Sequence, residues 1–215
     1  MTPFHINSRF VTKLLPEVIK TYLGQSVYER VYDKKKLIFI HTPKTAGTSI
    51  SSVLYGTDPW HYSASELKMI NKKKFLSYPK VGFVRNPFSR LLSTYHYAFQ
   101  WIKQNPKTSV AFVTNYSDFE AFINRGLTSE IVKNHYFFWS YTRYLSENGK
   151  MCMDKIGRFE NLKRDFKDIF GEEMHLPELN RSKSSLNYKD FYDANMIVKV
   201  KDLYKDDLIS FNYDF

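Results

Sequence analysis

Cysteine is almost missing: Cys152 is the single one in 215 residues. No disulfide can form within the chain, and an oxidising compartment gets no support. Long apolar runs are missing too. No stretch is long enough to span a bilayer, and residues 1–24 are interrupted by Pro3, Arg9, Lys13, Pro16 and Glu17, so no signal-peptide core is read there. The expectation is a soluble, cytoplasmic protein. Internal repeats, low-complexity segments and clusters of His, Cys and carboxylate at ligand spacing are all lacking, which leaves no basis for a repeat architecture or a metal site. Acidic residues are outnumbered, 22 Asp and Glu against 32 Lys and Arg, for a net charge of +10. Such a balance suits an anionic ligand, and a second, anionic substrate as well. Nucleic acid is not expected as a partner, because the charges do not join with aromatics into a nucleic-acid module.

What is present is concentrated in Leu37-Ile38-Phe39-Ile40-His41-Thr42-Pro43-Lys44-Thr45-Ala46-Gly47-Thr48-Ser49. A run of bulky apolar residues stops at a short loop of Pro, Lys, Gly and hydroxyls, which reads as a buried parallel strand followed by a helix. Such a junction aims backbone N–H groups and a helix N-terminus at one spot and attracts phosphate. Lys44 adds a cation, and Thr45, Thr48 and Ser49 add hydroxyls. The nucleotide-hydrolysing order G-x-x-x-x-G-K-[ST] is not met, since Lys44 precedes Gly47 and no Gly comes before it in the loop. The standard Mg²⁺ seat is therefore not formed.

A second junction follows in Lys80-Val81-Gly82-Phe83-Val84-Arg85-Asn86-Pro87. Here a short strand leads into a helix with Asn86 as cap and Pro87 in the first turn. Phe88, Leu91, Leu92, Tyr95, Phe99 and Ile102 recur at helical spacing and are expected to form its core face. Arg85 leaves the strand and Ser93 lies two turns on, so the pair can close on one phosphate, the Arg by a forked contact.

In this order the two elements resemble sulfotransferases that use 3′-phosphoadenosine 5′-phosphosulfate (PAPS). P-K-T-A-G-T-S is similar to their 5′-phosphosulfate loop, and F-V-R-N-P-F-S-R-L-L-S-T-Y to their R-x₇-S element, which holds the 3′-phosphate. Ile156-Gly157-Arg158-Phe159-Glu160-Asn161-Leu162 and Leu176-Pro177-Glu178-Leu179-Asn180-Arg181-Ser182-Lys183 resemble runs of the carbohydrate members. The likeness extends from about Lys36 to the end; the first thirty or so residues carry no recognised motif, and 103–150 match weakly. The resemblance implies PAPS as co-substrate, held by Lys44, Thr45, Gly47, Thr48, Ser49, Arg85, Ser93, Ser182 and Lys183. It also implies a carbohydrate acceptor and no metal. The Golgi members carry a membrane anchor that is not read here.

Turn-like clusters near 56–59, 105–108, 147–149 and 181–185 are too short to be interdomain linkers, so a single domain over 1–215 is expected, with 1–35 as an extension of unclear role. Strands are predicted near 37–41, 81–85 and 156–158. Helices are predicted at 48–54, 64–72, 87–103, 118–125, 162–170 and 190–211. The alternation predicts an α/β fold of the P-loop NTPase-like, three-layer kind: a central, mainly parallel sheet with helices on both faces and ligands beyond the strand ends.

Sulfuryl transfer needs stabilisation of the departing phosphate and a base. Lys44 is the expected stabiliser. His61, on the loop between the two phosphate elements, is the expected base, in the interval where the carbohydrate members place theirs. His41 is expected to pack or hydrogen-bond beneath the loop, and Glu160 to be structural rather than an alternative base. A nucleotide or small-molecule kinase with a P-loop-like core and a non-catalytic module that binds a 3′-phosphoadenosine nucleotide are the competing classes. The first would need Mg²⁺ and a Walker-type Lys, and the second would bind 3′,5′-ADP without transferring anything.

Overall fold

Strands form where the sequence concentrates bulky apolar residues and stop where Lys, Asn and hydroxyls begin. The computed structural model describes residues 26–171, 173, 174, 176 and 187–215. Its main sheet holds β1 (Ile38–Ile40), β2 (Lys80–Val84) and, after a hairpin of β3 (Ser146–Glu147) and β4 (Lys150–Met151), β5 (Lys155–Arg158). The order is β1-β2-β5, parallel throughout. Phe39 lies opposite Val81, and Val84 opposite Arg158. The helices are α1 (Gly47–Tyr55), α2 (Ala64–Ile70), α3 (Lys72–Ser77), α4 (Pro87–Ile102), α5 (Phe119–Ala121), α6 (Ser129–Asn134), α7 (Tyr141–Leu145), α8 (Leu162–Phe170), α9 (Ala194–Leu203) and α10 (Lys205–Ser210).

Side chains alternate along the strands, so each sheet face buries its own cluster. Phe39, Val81 and Phe83 pack on Ile50 and Leu54 of α1 and Phe166 of α8. Ile38, Ile40 and Val84 pack on Leu67 of α2, Phe75 of α3 and Tyr144 and Leu145 of α7. Helices thus cover both faces of a small parallel sheet. A third cluster surrounds α4 away from the sheet and includes Leu91, Phe122, Phe138 and Val200.

The outer edge of β1 would expose unpaired backbone groups, which invites pairing with another chain. Two tyrosines, the buried Tyr32 and the partly buried Tyr55, occupy it instead. Tyr55 Oη accepts the Phe39 N–H at 3.1 Å and donates to the Leu37 carbonyl at 3.0 Å, while Tyr32 Oη donates to the Phe39 carbonyl at 3.2 Å. Tyr32 belongs to a π-helical turn, Tyr28–Tyr32, that packs into the core. Part of the segment to which the sequence assigned no role therefore seals the sheet; residues 1–25 lie outside the described ones.

The predicted strands appear within a residue of their expected ends, but several helices divide. The helix expected over 64–72 breaks at Asn71, whose backbone turns extended and whose Oδ1 accepts the Lys74 N–H, starting α3 as a cap. The helix expected over 190–211 divides at Tyr204 into α9 and α10, and the one over 118–125 shrinks to α5 and a π-helical turn. On α4 the core face also differs. Phe99 is exposed, whereas Arg90, Thr94 and Ala98 are buried.

Arg90 explains that rotation. Its guanidinium donates to the carbonyls of Trp139 (2.9 Å) and Phe138 (3.3 Å) and lies over the rings of Tyr141 and Tyr204. Buried Asp207 of α10 accepts the N–H groups of Tyr141 and Thr142, both at 2.8 Å, at the start of α7. Burial drives the Asp207 carboxyl pKa upward against the pull of Arg90 and those N–H groups. A buried charge of each sign thus fixes the start of α7, and with it Tyr141, whose hydroxyl donates to the Pro43 carbonyl at 2.8 Å. The α4–α7–α10 assembly thereby supports the loop after β1.

Candidate active site

The loop after β1 reaches its shape through residues that rarely take it. Lys44 (φ 66°) and Ala46 (φ 63°) both sit in the left-handed region, at a cost of about 1–3 kcal/mol each for non-glycine residues. Hydroxyls inside the loop hold it. Thr42 Oγ1 donates to the Phe83 carbonyl at 2.5 Å, and Thr45 Oγ1 donates to the Thr42 carbonyl at 2.9 Å. The Thr45 side chain is therefore turned inward to the loop, and its contribution to a ligand falls to its backbone. α1 then starts at Gly47 with no side-chain cap. The N–H groups of Gly47, Thr48 and Ser49 precede the first intrahelical donor, Ile50, and point out of the helix start. Thr48 is exposed there and Ser49 buried.

Gly47 is required by proximity. A Cβ at that position would lie 1.9 Å from Cδ2 and 2.3 Å from Nε2 of His41. His41 is buried beneath the loop, as expected, and its Nδ1 is 2.9 Å from Asp58 Oδ1. The same carboxylate oxygen accepts the Trp60 N–H at 2.7 Å. Burial alone would raise the Asp58 pKa, but the His41 hydrogen bond and charge, with the Trp60 N–H, hold it below the usual carboxylate range.

The second junction faces the first. Arg85 donates through Nη1 to the Lys44 carbonyl at 3.2 Å and through Nε to Ser89 Oγ at 2.9 Å. Its guanidinium lies 4.1 Å above the Phe159 ring. The backbone beside it is tied down: the Asn86 N–H donates to Glu160 Oε1 at 2.7 Å, and Asn86 Nδ2 donates to the Asp214 carbonyl at 2.7 Å. Glu160 Oε2 also accepts the Tyr213 hydroxyl at 2.8 Å. Glu160 is thus a structural tie made of hydrogen bonds. The hydroxyl bonded to Arg85 is that of Ser89, and Ser93 follows one turn later on α4.

Lys44 Nζ sits 4.1 Å over the Tyr97 ring. Burial, and then the positive charge of Arg85, lower its pKa to about 7. Burial likewise lowers that of Arg85. Two desolvated cations at adjacent strand ends make a pocket that gains most from a bound anion.

His61 enters from the same side. Its Nδ1 lies 2.7 Å from the His41 carbonyl. A carbonyl only accepts, so Nδ1 carries the proton and Nε2 the lone pair of the neutral ring. The His61 ring contacts His41 (4.2 Å between centroids), Tyr136 (5.6 Å) and Phe137 (5.7 Å). Phe137 in turn stacks on Tyr97 at 5.6 Å, so His61 and Lys44 share one aromatic wall.

Lys44, Thr45, Gly47, Thr48, Ser49, Arg85 and His61 therefore gather at the ends of β1 and β2. Ser182 and Lys183 lie outside the described residues. Sequence reasoning did not single out Ser89, Asp58, Tyr97 or Phe137; Asp58 stood in a turn cluster and Ser89 inside the R-x₇-S element, while the two rings carried no signal. Among the described residues no group of three or more His, Cys, Asp or Glu is placed to hold a metal ion, and no helix is long and apolar enough to cross a membrane.

No curated protein and no solved structure matches the chain. The sequence profile of the Sulfotransferase family does, over residues 29–214. That span covers both strand–helix junctions, His61 and the Glu160 tie, so the residues gathered here fall within one family domain, and the chain belongs to the sulfotransferase family.

Proposed function

We propose that the protein moves a sulfuryl group from PAPS to a hydroxyl of a carbohydrate, with the loop after β1 acting as a P-loop-like cradle. The observation that carries this reading is the 3.2 Å bond from Arg85 to the Lys44 carbonyl, which ties the two junctions together at adjacent strand ends, with the Arg85 charge close enough to lower the Lys44 pKa. A nucleotide with phosphates at both its 5′ and 3′ positions suits that pair. The residues fit the co-substrate: uncapped N–H groups of Gly47, Thr48 and Ser49 suit the 5′-phosphosulfate, and Arg85 with Ser93 suits the 3′-phosphate.

In the reaction the acceptor oxygen attacks sulfur in line, and the bond from sulfur to the bridging phosphate oxygen breaks. The products are a sulfate ester and 3′-phosphoadenosine 5′-phosphate. His61 Nε2 takes the acceptor proton, while the Lys44 ammonium neutralises charge building on the departing oxygen. The anion itself raises the Lys44 pKa and so recruits the proton that the empty pocket disfavours.

Incubation with radiolabelled PAPS and a glycan panel tests this. Label should move to glycan with the unaltered protein. It should fall by about 10²–10³-fold in Lys44→Ala, and by about 10²–10⁴-fold in His61→Ala while that variant still binds 3′,5′-ADP. Normal turnover by His61→Ala would remove it from the mechanism. Calorimetry showing no heat with 3′,5′-ADP would overturn the proposal as a whole.

A further inference from the structure

Each of the two desolvated cations rests on an aromatic face. The Arg85 guanidinium lies 4.1 Å above the Phe159 ring, and Lys44 Nζ lies 4.1 Å above the Tyr97 ring. The two seats come from different parts of the fold. β2 and β5 run parallel with Val84 opposite Arg158. The next residue on each strand is delivered to the same end of the sheet, which sets Arg85 beside Phe159. The bond from the Asn86 N–H to Glu160 carries that pairing one residue further and fixes the backbone after the ring.

Tyr97 comes instead from α4. Ser89, Ser93, Tyr97 and Trp101 are spaced four apart, so they form one row along that helix. The row begins at the hydroxyl that Arg85 grips and reaches Lys44 at Tyr97. Phe137 and Trp101 stack on Tyr97 at 5.6 and 5.7 Å, each with planes 16° apart, which holds the ring in its plane.

A cation drawn out of water near another has two ways to relax. It can swing into solvent or, for lysine, lose its proton. A ring face opposes both, because its negative quadrupole attracts a cation without neutralising it. A carboxylate in the same place would cancel the charge that a phosphate needs. An aromatic seat leaves that charge available to an anion arriving from the other side.

We infer that Tyr97 and Phe159 are positioning residues for the donor, Tyr97 holding Lys44 for the 5′ end of the nucleotide and Phe159 holding Arg85 for the 3′-phosphate. This inference rests on the sulfotransferase reading and gives each cation of that site its own support.

Calorimetric titration with 3′,5′-ADP and with 5′-AMP separates the two seats. Leucine keeps apolar bulk and removes the ring face. Tyr97→Leu should raise the Kd of both nucleotides about three- to tenfold. Phe159→Leu should raise that of 3′,5′-ADP by a similar factor and spare 5′-AMP. Tyr97→Phe and Phe159→Tyr keep a ring and should recover most of each loss. The losses should also vanish where the cation is gone: Tyr97→Leu adds nothing to Lys44→Ala, and Phe159→Leu adds nothing to Arg85→Ala. A ring that merely fills space would act equally with and without its cation. Methionine at either position carries the same comparison should leucine prevent folding. Parental affinity in either leucine variant, losses undiminished in the cation-free backgrounds, or a Phe159→Leu penalty that extends to 5′-AMP overturns the inference. Binding of 3′,5′-ADP by the parent in those cases leaves the sulfotransferase reading standing, whereas a parent that does not bind it removes both.

Discussion

At the end of β1 the helix starts bare. α1 has no side-chain cap, and the loop ahead of it holds two non-glycine residues in the left-handed region, so backbone N–H groups are left facing the pocket. At the end of β2 the helix starts closed. Asn86 Oδ1 accepts the Phe88 N–H at 2.9 Å, Pro87 has no N–H to satisfy, and Glu160 accepts the Asn86 N–H. Two junctions of the same outline are thereby specialised in opposite ways. The first offers a strained, polar backbone that suits a group changing its charge during reaction. The second spends its backbone on rigidity and projects one side chain, Arg85, as a fixed grip.

The sharpest way to break this comparison is to remove each cation. Lys44→Ala should lower kcat by about 10²–10³-fold. Arg85→Ala should raise the Kd for 3′,5′-ADP by about 10–100-fold and leave kcat at saturating donor near its parent value. Equal effects of both variants on kcat would erase the proposed division of labour.

Filling the close contact under the bare helix comes next. Gly47→Ala brings a methyl into the His41 ring, and should cost about 1–3 kcal/mol of stability as overpacking. The loss would be read as a lower denaturation midpoint together with weaker nucleotide binding. Asn86→Ala should cost about 0.5–2 kcal/mol through the lost cap, with little change in the chemical step. Gly47→Ala with parental stability would show that the His41 ring gives way freely.

Protonation offers a gentler probe. The free protein carries the Lys44 charge below pH 7 and loses it above, because its pKa is lowered to about 7. A bound anion restores the charge, so binding above that pH takes up a proton. Affinity for 3′,5′-ADP should fall with rising pH, approaching tenfold per unit, and calorimetry in buffers of different ionisation enthalpy should show uptake of about one proton. Lys44→Arg should abolish both effects. Flat affinity from pH 7 to 9 would remove the depressed Lys44 from the account.

The smallest effects separate the two serines on α4. Ser93→Ala should weaken 3′,5′-ADP by several-fold, on the order of one lost hydrogen bond of ordinary strength, and leave 5′-AMP binding untouched. Ser89→Ala should act more weakly, through the aim of Arg85. A Ser93 penalty that persists with 5′-AMP would detach Ser93 from the 3′-phosphate.

Both junctions were legible in the sequence because their signals are local: β-branched and aromatic runs, an asparagine before proline, hydroxyls around a lysine. His61 was read as the base from its interval between them, and the fold places it beside the first junction. What the sequence concealed depends on distant partners. Asn71 reads as an ordinary helical residue until its carboxamide caps the next turn. Phe99 fits the helical period of α4, yet burial of Arg90 against Phe138 and Trp139 turns it outward. Asp58 lies in an unremarkable turn, and only the fold shows His41 and Trp60 meeting on it. The aromatic wall from His61 through Phe137 to Tyr97 joins three segments far apart in the chain and follows no periodicity.

The grip at Arg85 is steadied by a carbonyl 128 positions downstream, that of Asp214 against Asn86. During synthesis, therefore, α4 emerges from the ribosome long before the strand of chain that immobilises its first turn. Until residues 211–214 are released and docked, a nascent polypeptide has the loop after β1 but not the tie that steadies Arg85. Under the proposed reading, firm donor binding is thus a late event that waits for residues 211–214 to dock.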